Sequence, residues 1–222
     1  MPGDRVYAKD GMEFARAVTF FDAIFAFAVT LLITTVDDFS PQAWSSPAAL
    51  WAANGSSLVS FTISFLVVVS FWRANHRVVA GMIALNSRII TLNCAVMFGV
   101  VLIPFTTEAL GKVALPLAVA VYAAVIAVTA ILHHLVQDQA DRARLVDQRR
   151  TPLQRRWDWV GASVLPAVFL ASIPVAYLVS PGAAEYCWIS LVVLNPLVGR
   201  WVDTRSRAGD TAAAGPHSPT GE

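Results

Sequence analysis

The chain has 222 residues, of which 56% are apolar and only 14% charged, with a net charge of +1 and a mean hydropathy of +0.60. Soluble domains carry roughly 45–50% apolar and about 25% charged residues, so a soluble globular domain and a disordered chain are both excluded. The two cysteines, Cys94 and Cys187, both lie inside apolar runs, which excludes a disulfide scaffold and a cysteine-rich zinc site.

Six apolar stretches follow in chain order, at 18–36, 50–71, 89–107, 113–132, 159–179 and 183–202. Each is close to the about 20 residues an α-helix needs to cross a bilayer. The first lacks a small-residue cleavage site and is read as a span rather than a removed leader. The pattern predicts an all-α membrane protein with six transmembrane helices and both termini cytoplasmic. That membrane unit covers 1–207, and 208–222 is a Gly/Ala/Pro/Ser/Thr-rich tail expected to be disordered.

Loop charge supports this count. With a cytoplasmic N-terminus, all of the 16 Lys and Arg residues except Lys112 fall on the inner side. The expected outer loops carry Asp37, Asp38, Glu108 and Glu185 instead. This is the positive-inside rule, and a missed or extra helix would scramble it. The longest polar segment, 136–158, reads as a helical extension with solvated faces, with a lipid-headgroup role for its arginines as the alternative. Pro104, Pro116, Pro166, Pro174 and Pro196 do not pair as the broken helices of a repeated transporter would.

Asp22 is the anomaly within the spans. It lies roughly 6 Å into the first one at 1.5 Å per residue. A carboxylate at a helix centre costs about 2.5–3.5 kcal/mol, less toward the ends. Such a residue pairs with something or faces protein or water. Arg16, Trp72, Arg73, His76 and Arg77 all reach the same depth. Two readings stay open: a charge-paired staple between the first two helices, or an ion or proton site.

On a helical wheel, Ala23, Phe27, Thr30, Thr34 and Asp37 fall within a sector of about 80°, with Asp22 beside it. Ile24, Phe25, Ala28, Leu31 and Leu32 lie opposite. The threonine stripe fits pore lining and equally a helix–helix contact, where the hydroxyl bonds a carbonyl one turn back. His133 and His134 point about 100° apart on a helix and cannot simply share one metal ion. Trp51, Trp72, Trp157, Trp159, Trp188 and Trp201 sit near span ends, as aromatic belts do. Asn54 and Asn93 are expected to make interhelical hydrogen bonds. No HExxH, GxSxG or phosphate-binding loop is present, so no enzyme activity and no cofactor is expected.

Three segments carry a family resemblance. Arg16-Ala-Val-Thr-Phe20-Phe21-Asp22, followed by the apolar run through Thr30-Leu-Leu, resembles the first helix of the transmembrane protein 175 family of potassium channels. That family's pattern there is Arg-x-x-x-Phe-Ser-Asp. Phe71-Trp72-Arg-Ala-Asn75-His76-Arg77 resembles its aromatic-Trp-x-x-His-His-Arg, and Leu102-Ile103-Pro104-Phe105-Thr106 its Leu-Pro-Phe element. The resemblance implies a homotetramer of six-helix subunits, with first helices lining a central pore for passive potassium conduction. It implies a network of Arg16, Phe20, Asp22, Trp72 and His76 that positions the pore helix. It implies a constriction at Phe27, where the family has an aliphatic residue, and a selectivity layer at Thr30. Two departures stand out: Phe21 replaces the motif serine, and Asn75 the first motif histidine.

The resulting expectation is a potassium-permeable channel in a bacterial cytoplasmic membrane. Ions meet Asp37 and Asp38 at the outer mouth, then Thr34, Thr30, Phe27 and Ala23. Its partners are potassium ions, the bilayer and three further copies, with no nucleic acid and no bound metal beyond transient potassium. The alternatives are a proton-coupled transporter using Asp22 and His76, or a non-conducting membrane protein.

Overall fold

The computed structural model describes residues 5–36, 40–113, 115–191, 194, 197–202 and 204–205. Among the described residues, five helices are long and apolar enough to cross a membrane. They are α1 (Met12–Leu32), α2 (Pro47–Ala80), α3 (Ser87–Val113), α4 (Pro116–Arg142) and α5 (Pro152–Leu178). A short α6 (Pro181–Ile189) opens the expected sixth span. Helical residues recur at 191, 194, 197–202 and 204–205. The rest of that span lies outside the described residues, as does the tail 208–222.

Local chemistry sets the helix starts. Proline occupies the first turn of α2, α4, α5 and α6, where its missing N–H costs nothing and its fixed φ is already helical. Ser46, Thr151 and Ser180 cap three of these by accepting from Ala49, Gln154 and Ala183 backbone N–H groups. At α5 the Gln154 side chain also accepts from the Thr151 N–H, which completes a capping box. α1 instead tightens at its end into a 3-10 turn, Ile33–Thr35.

α2 has 34 residues, roughly 51 Å at 1.5 Å per residue, well beyond a hydrocarbon core of about 30 Å. Its last turns carry Trp72, Asn75, His76 and Arg77 past the expected span end at 71. α4 likewise runs past 132 to Arg142. Both excesses are at the Arg-rich end of the bundle.

α3 and α4 form the centre. α3 packs on α1, α2 and α4, and α4 packs on α5. Val96, Val100, Ile103, Val119, Tyr122, Ile126 and Phe169 are fully buried there. Small residues permit the close crossings that drive helix association in lipid, where water expulsion contributes little. A Cβ on Gly99 would lie 2.1 Å from Thr129 Oγ1, and one on Gly111 would lie 2.9 Å from Ser57 Cα. Thr129 is held in place by its own bond to the Val125 carbonyl, 2.7 Å. Gly99→Ala should therefore push α3 off α4 and cost about 1–3 kcal/mol, the usual penalty of overpacking. A detergent melting temperature equal to wild type would refute this.

One element has no counterpart in the helical reading of the sequence. β1 (Val6–Ala8) pairs antiparallel with β2 (Ala84–Asn86), with Tyr7 opposite Leu85. Met82 forms a bridge with Val146, and Lys9 Nζ donates to the Ala80 carbonyl at 2.7 Å. The segment just before α1 is thereby tied to the α2–α3 turn, and that turn to the α4–α5 connection. Asn86 ends β2 and accepts from the Ile89 N–H, which caps the start of α3.

Candidate functional site

α1 has one buried face and one open face. Phe14, Phe21, Phe25, Ala28, Leu32 and Thr35 are buried against the bundle. Ala23, Phe27, Thr30 and Thr34 are all exposed on the other side, Phe27 at 59%. Helical periodicity alone separates these sets, so the stripe seen on the wheel is the face that the single chain leaves uncovered. Thr30 Oγ1 donates to the Phe27 carbonyl at 2.8 Å, and Thr34 Oγ1 to the Leu31 carbonyl at 2.7 Å. Each hydroxyl proton is thus held against the helix, and the oxygen lone pairs are left for whatever lies outside. A hydroxyl in this state can accept from water or coordinate a cation. Asp37 and Asp38 lie outside the described residues.

Beside this face, α1 is pinned to α2. Trp72 Nε1 donates to Asp22 Oδ1 at 3.1 Å. The Trp72 and His76 rings, one turn apart on α2, lie 5.7 Å from each other at 33°. The structure therefore brings Asp22, Trp72 and His76 together. It places Arg16 elsewhere, with Nη1 3.5 Å from Glu13 in an exposed pair. Phe20 is exposed and meets the edge of Phe21, centroids 6.2 Å apart. Phe21 and Asn75, at the two positions that depart from the family motif, are both buried. Among the described residues, Asn75 Oδ1 has no hydrogen-bond partner.

Several features differ from expectation or went unforeseen. Asn93 is fully buried, yet neither side-chain polar atom makes the expected interhelical bond. Trp188 is not in an interfacial belt but 3% exposed in the core. It stacks on Tyr122 at 5.1 Å and donates to Ser172 Oγ at 2.9 Å. Glu185, assigned to an outer loop, is also buried. Tyr122 Oη lies 2.9 Å from Ser64 Oγ, which lies 2.7 Å from Thr107 Oγ1. Thr107 in turn donates to the Ile103 carbonyl. This hydroxyl chain ties α2, α3 and α4 together. Ser64 and Thr107 sit in apolar runs without any local motif, so only the three-dimensional packing reveals them.

The segment 136–158 is not merely solvated. Asp138 and Asp141 are buried, and both are bridged by arginine. Asp138 accepts from Arg142 Nε at 2.7 Å and from Arg155. Arg150 lies 3.3 Å from Asp141 and 3.2 Å from Asp158. His134 packs on the Trp159 ring edge, 4.2 Å between centroids. These bridges close the α4–α5 hairpin where the sequence suggested a helical extension with solvated faces.

Comparison with known proteins bears on the site. The profile of a family described as endosomal/lysosomal potassium channel TMEM175 matches residues 16–104, which contain α1 from Arg16 onward, Trp72 and His76 of α2, and Pro104. A protein named potassium channel from Streptomyces collinus is 33% identical over 103 residues, 45% of this chain and 48% of that protein. The chain thus spans about half the length of the curated relative it matches. The crystal structure of a lysosomal potassium-selective channel TMEM175 homolog from Chamaesiphon minutus superimposes with a TM-score of 0.62. It does so over 87% of this chain and 98% of that one, at 20% identity. Residues 16–104 thus match the TMEM175 family model, in a chain whose fold is similar to that of the TMEM175 homologue.

Proposed function

We propose that the protein is a potassium-permeable channel of a bacterial cytoplasmic membrane, in which the α1 helices of four copies line one axial pore. The observation that carries this reading is the open α1 face. It gathers Ala23, Phe27, Thr30 and Thr34 on one side, while the opposite side of the same helix is fully packed. Four copies around an axis would stack a ring of Phe27 below rings of Thr30 and Thr34. The threonine oxygens would replace part of a hydration shell, which favours the weakly hydrated K+ over Na+. The Phe27 rings would form an apolar constriction that closes by dewetting. Asp37 and Asp38 at the outer end would raise the local cation concentration.

The relatives named as potassium channels support this reading of residues 16–104. A proton-coupled transporter would need Asp22 free to exchange protons. The Trp72 bond to its carboxylate supports the staple instead.

Liposome flux tests the proposal. Purified protein is expected to pass K+ down its gradient without saturation and without a proton gradient. No flux, or flux that needs a pH gradient, counts against it. Thr30→Val keeps the shape of the side chain and removes the coordinating oxygen. It should lower the K+ to Na+ flux ratio about tenfold, the change that ~1.4 kcal/mol produces. An unchanged ratio would remove Thr30 from the selective layer.

A further inference from the structure

The α4–α5 turn holds charge in excess of what its ion pairs neutralise. Asp138 serves two arginines, Arg142 and Arg155. Arg144, Arg149 and Arg156 are exposed and have no acidic partner among the described residues. Two adjoining clefts lie among these groups. One, of about 590 Å³, is lined by Arg142, Arg144, Arg149 and Arg155 beside Thr151, with Asp141 and its ion-pair partner Arg150 also in its wall. The other, of about 420 Å³, is lined by Arg142, Arg155 and Arg156 and ends on Trp159. They share Arg142, Pro152 and Arg155, so they form one basic groove along the start of α5. The buried Asp138 carboxylate fixes the guanidinium of Arg155 in that groove, and such planar forks match phosphate oxygens.

Two further observations say what would fill it. Trp159 marks the depth of the groove, because the apolar part of α5 begins there and indole rings sit at headgroup level. Trp157, two residues earlier, meets Trp201 edge-on at 4.9 Å. On that placement the groove would lie at headgroup level, with its Trp159 end nearer the acyl chains than its arginine end. Second, Arg144 has φ of 60°. It follows the last turn of α4, where the Leu145 N–H closes back on the Ala140 carbonyl at 3.0 Å. Glycine is the residue that ends helices in this way without strain. An arginine at that position bears a conformational cost that α4 termination does not require.

We propose that this groove binds the phosphate of an anionic lipid headgroup, with Arg144 and Arg156 supplying charge that no carboxylate among the described residues neutralises. The inference does not depend on ion conduction. It places a lipid at the connection that Val146 joins to the α2–α3 turn, and so next to the strand preceding α1.

The test uses delipidated full-length protein with added phosphatidylglycerol or phosphatidylcholine, read by native mass spectrometry and by melting temperature. Phosphatidylglycerol is expected to be retained in preference. Arg144→Gly and Arg156→Gln are each expected to cut that retention about fivefold, the contribution of one basic residue at an anionic surface. Arg144→Gly should also raise the melting temperature of the lipid-free protein, because glycine accepts the positive φ. That combination separates a binding role from a structural one. Equal retention of the two lipids overturns the proposal, and so does retention unchanged in both variants. Equal stabilisation by inorganic phosphate alone overturns the lipid assignment in favour of a free-anion site.

Discussion

Phe27→Ala in liposomes is expected to raise K+ flux about tenfold, which corresponds to ~1.4 kcal/mol off the permeation barrier. The expectation rests on where Phe27 stands. It is 59% exposed on the open face of α1 and packs into no core. Truncation therefore should leave the melting temperature of the chain unchanged, which separates an effect on the path from an effect on the fold. If four such rings meet on an axis, they remove water from the narrowest point and impose the largest barrier there. Alanine at the same place widens the constriction and admits water. Discrimination against Na+ should survive in part, since the Thr30 and Thr34 oxygens remain. Equal flux in wild type and variant would remove Phe27 from the conduction path. The aliphatic gate implied by the family resemblance makes Phe27→Leu the informative companion, with flux expected between the two.

The features of α1 were readable in the sequence because each depends on a single periodicity. Phe21, Phe25, Ala28 and Leu32 recur at helical spacing and are buried, while Ala23, Phe27, Thr30 and Thr34 recur out of phase and are exposed. Asp22 was conspicuous because a charge in an apolar run needs a partner, and Trp72 was in reach once two spans were set antiparallel. Arg16 was expected in the same network, but a closer acid, Glu13, lies three residues earlier on its own helix. Local i,i+3 pairs of this kind compete with any tertiary partner.

Features that depend on several chain segments meeting were not readable. The β1–β2 pair joins residues about eighty positions apart, and each strand has only three residues, too few for an alternating pattern. Trp188 is near a span end in sequence, yet α6 folds back on α5 so that its ring is covered by Tyr122 and Phe169. The Ser-Pro and Thr-Pro pairs at Ser46, Thr151 and Ser180 did mark helix starts. They would have moved α2 and α5 to start some three to seven residues earlier than hydropathy placed them. Hydropathy finds where lipid contact begins, and caps find where the helix begins.

Breaking the bond between Trp72 and Asp22 is expected to cost about 1.5–3 kcal/mol, the range for hydrogen bonds to charged groups. Trp72→Phe keeps an aromatic ring beside His76 and removes only the N–H, so the loss reports the bond rather than the packing. Asp22→Ala removes the acceptor. Because both changes delete one interaction, the double variant should melt no lower than the worse single one, apart from lost side-chain contacts. Asp22→Asn is the milder case: its side-chain oxygen still accepts from the indole, and only the charge is lost. Fully additive losses, or melting temperatures equal to wild type, would sink the staple. The same series separates the staple from a proton site. A staple predicts that flux in Asp22→Ala falls with assembly and is regained where the assembled species is recovered. A proton site predicts intact assembly with flux that no longer responds to pH. α1 has its open face and this bond on adjacent sides, so loosening the bond would let the Phe27 and Thr30 rings rotate off the axis together.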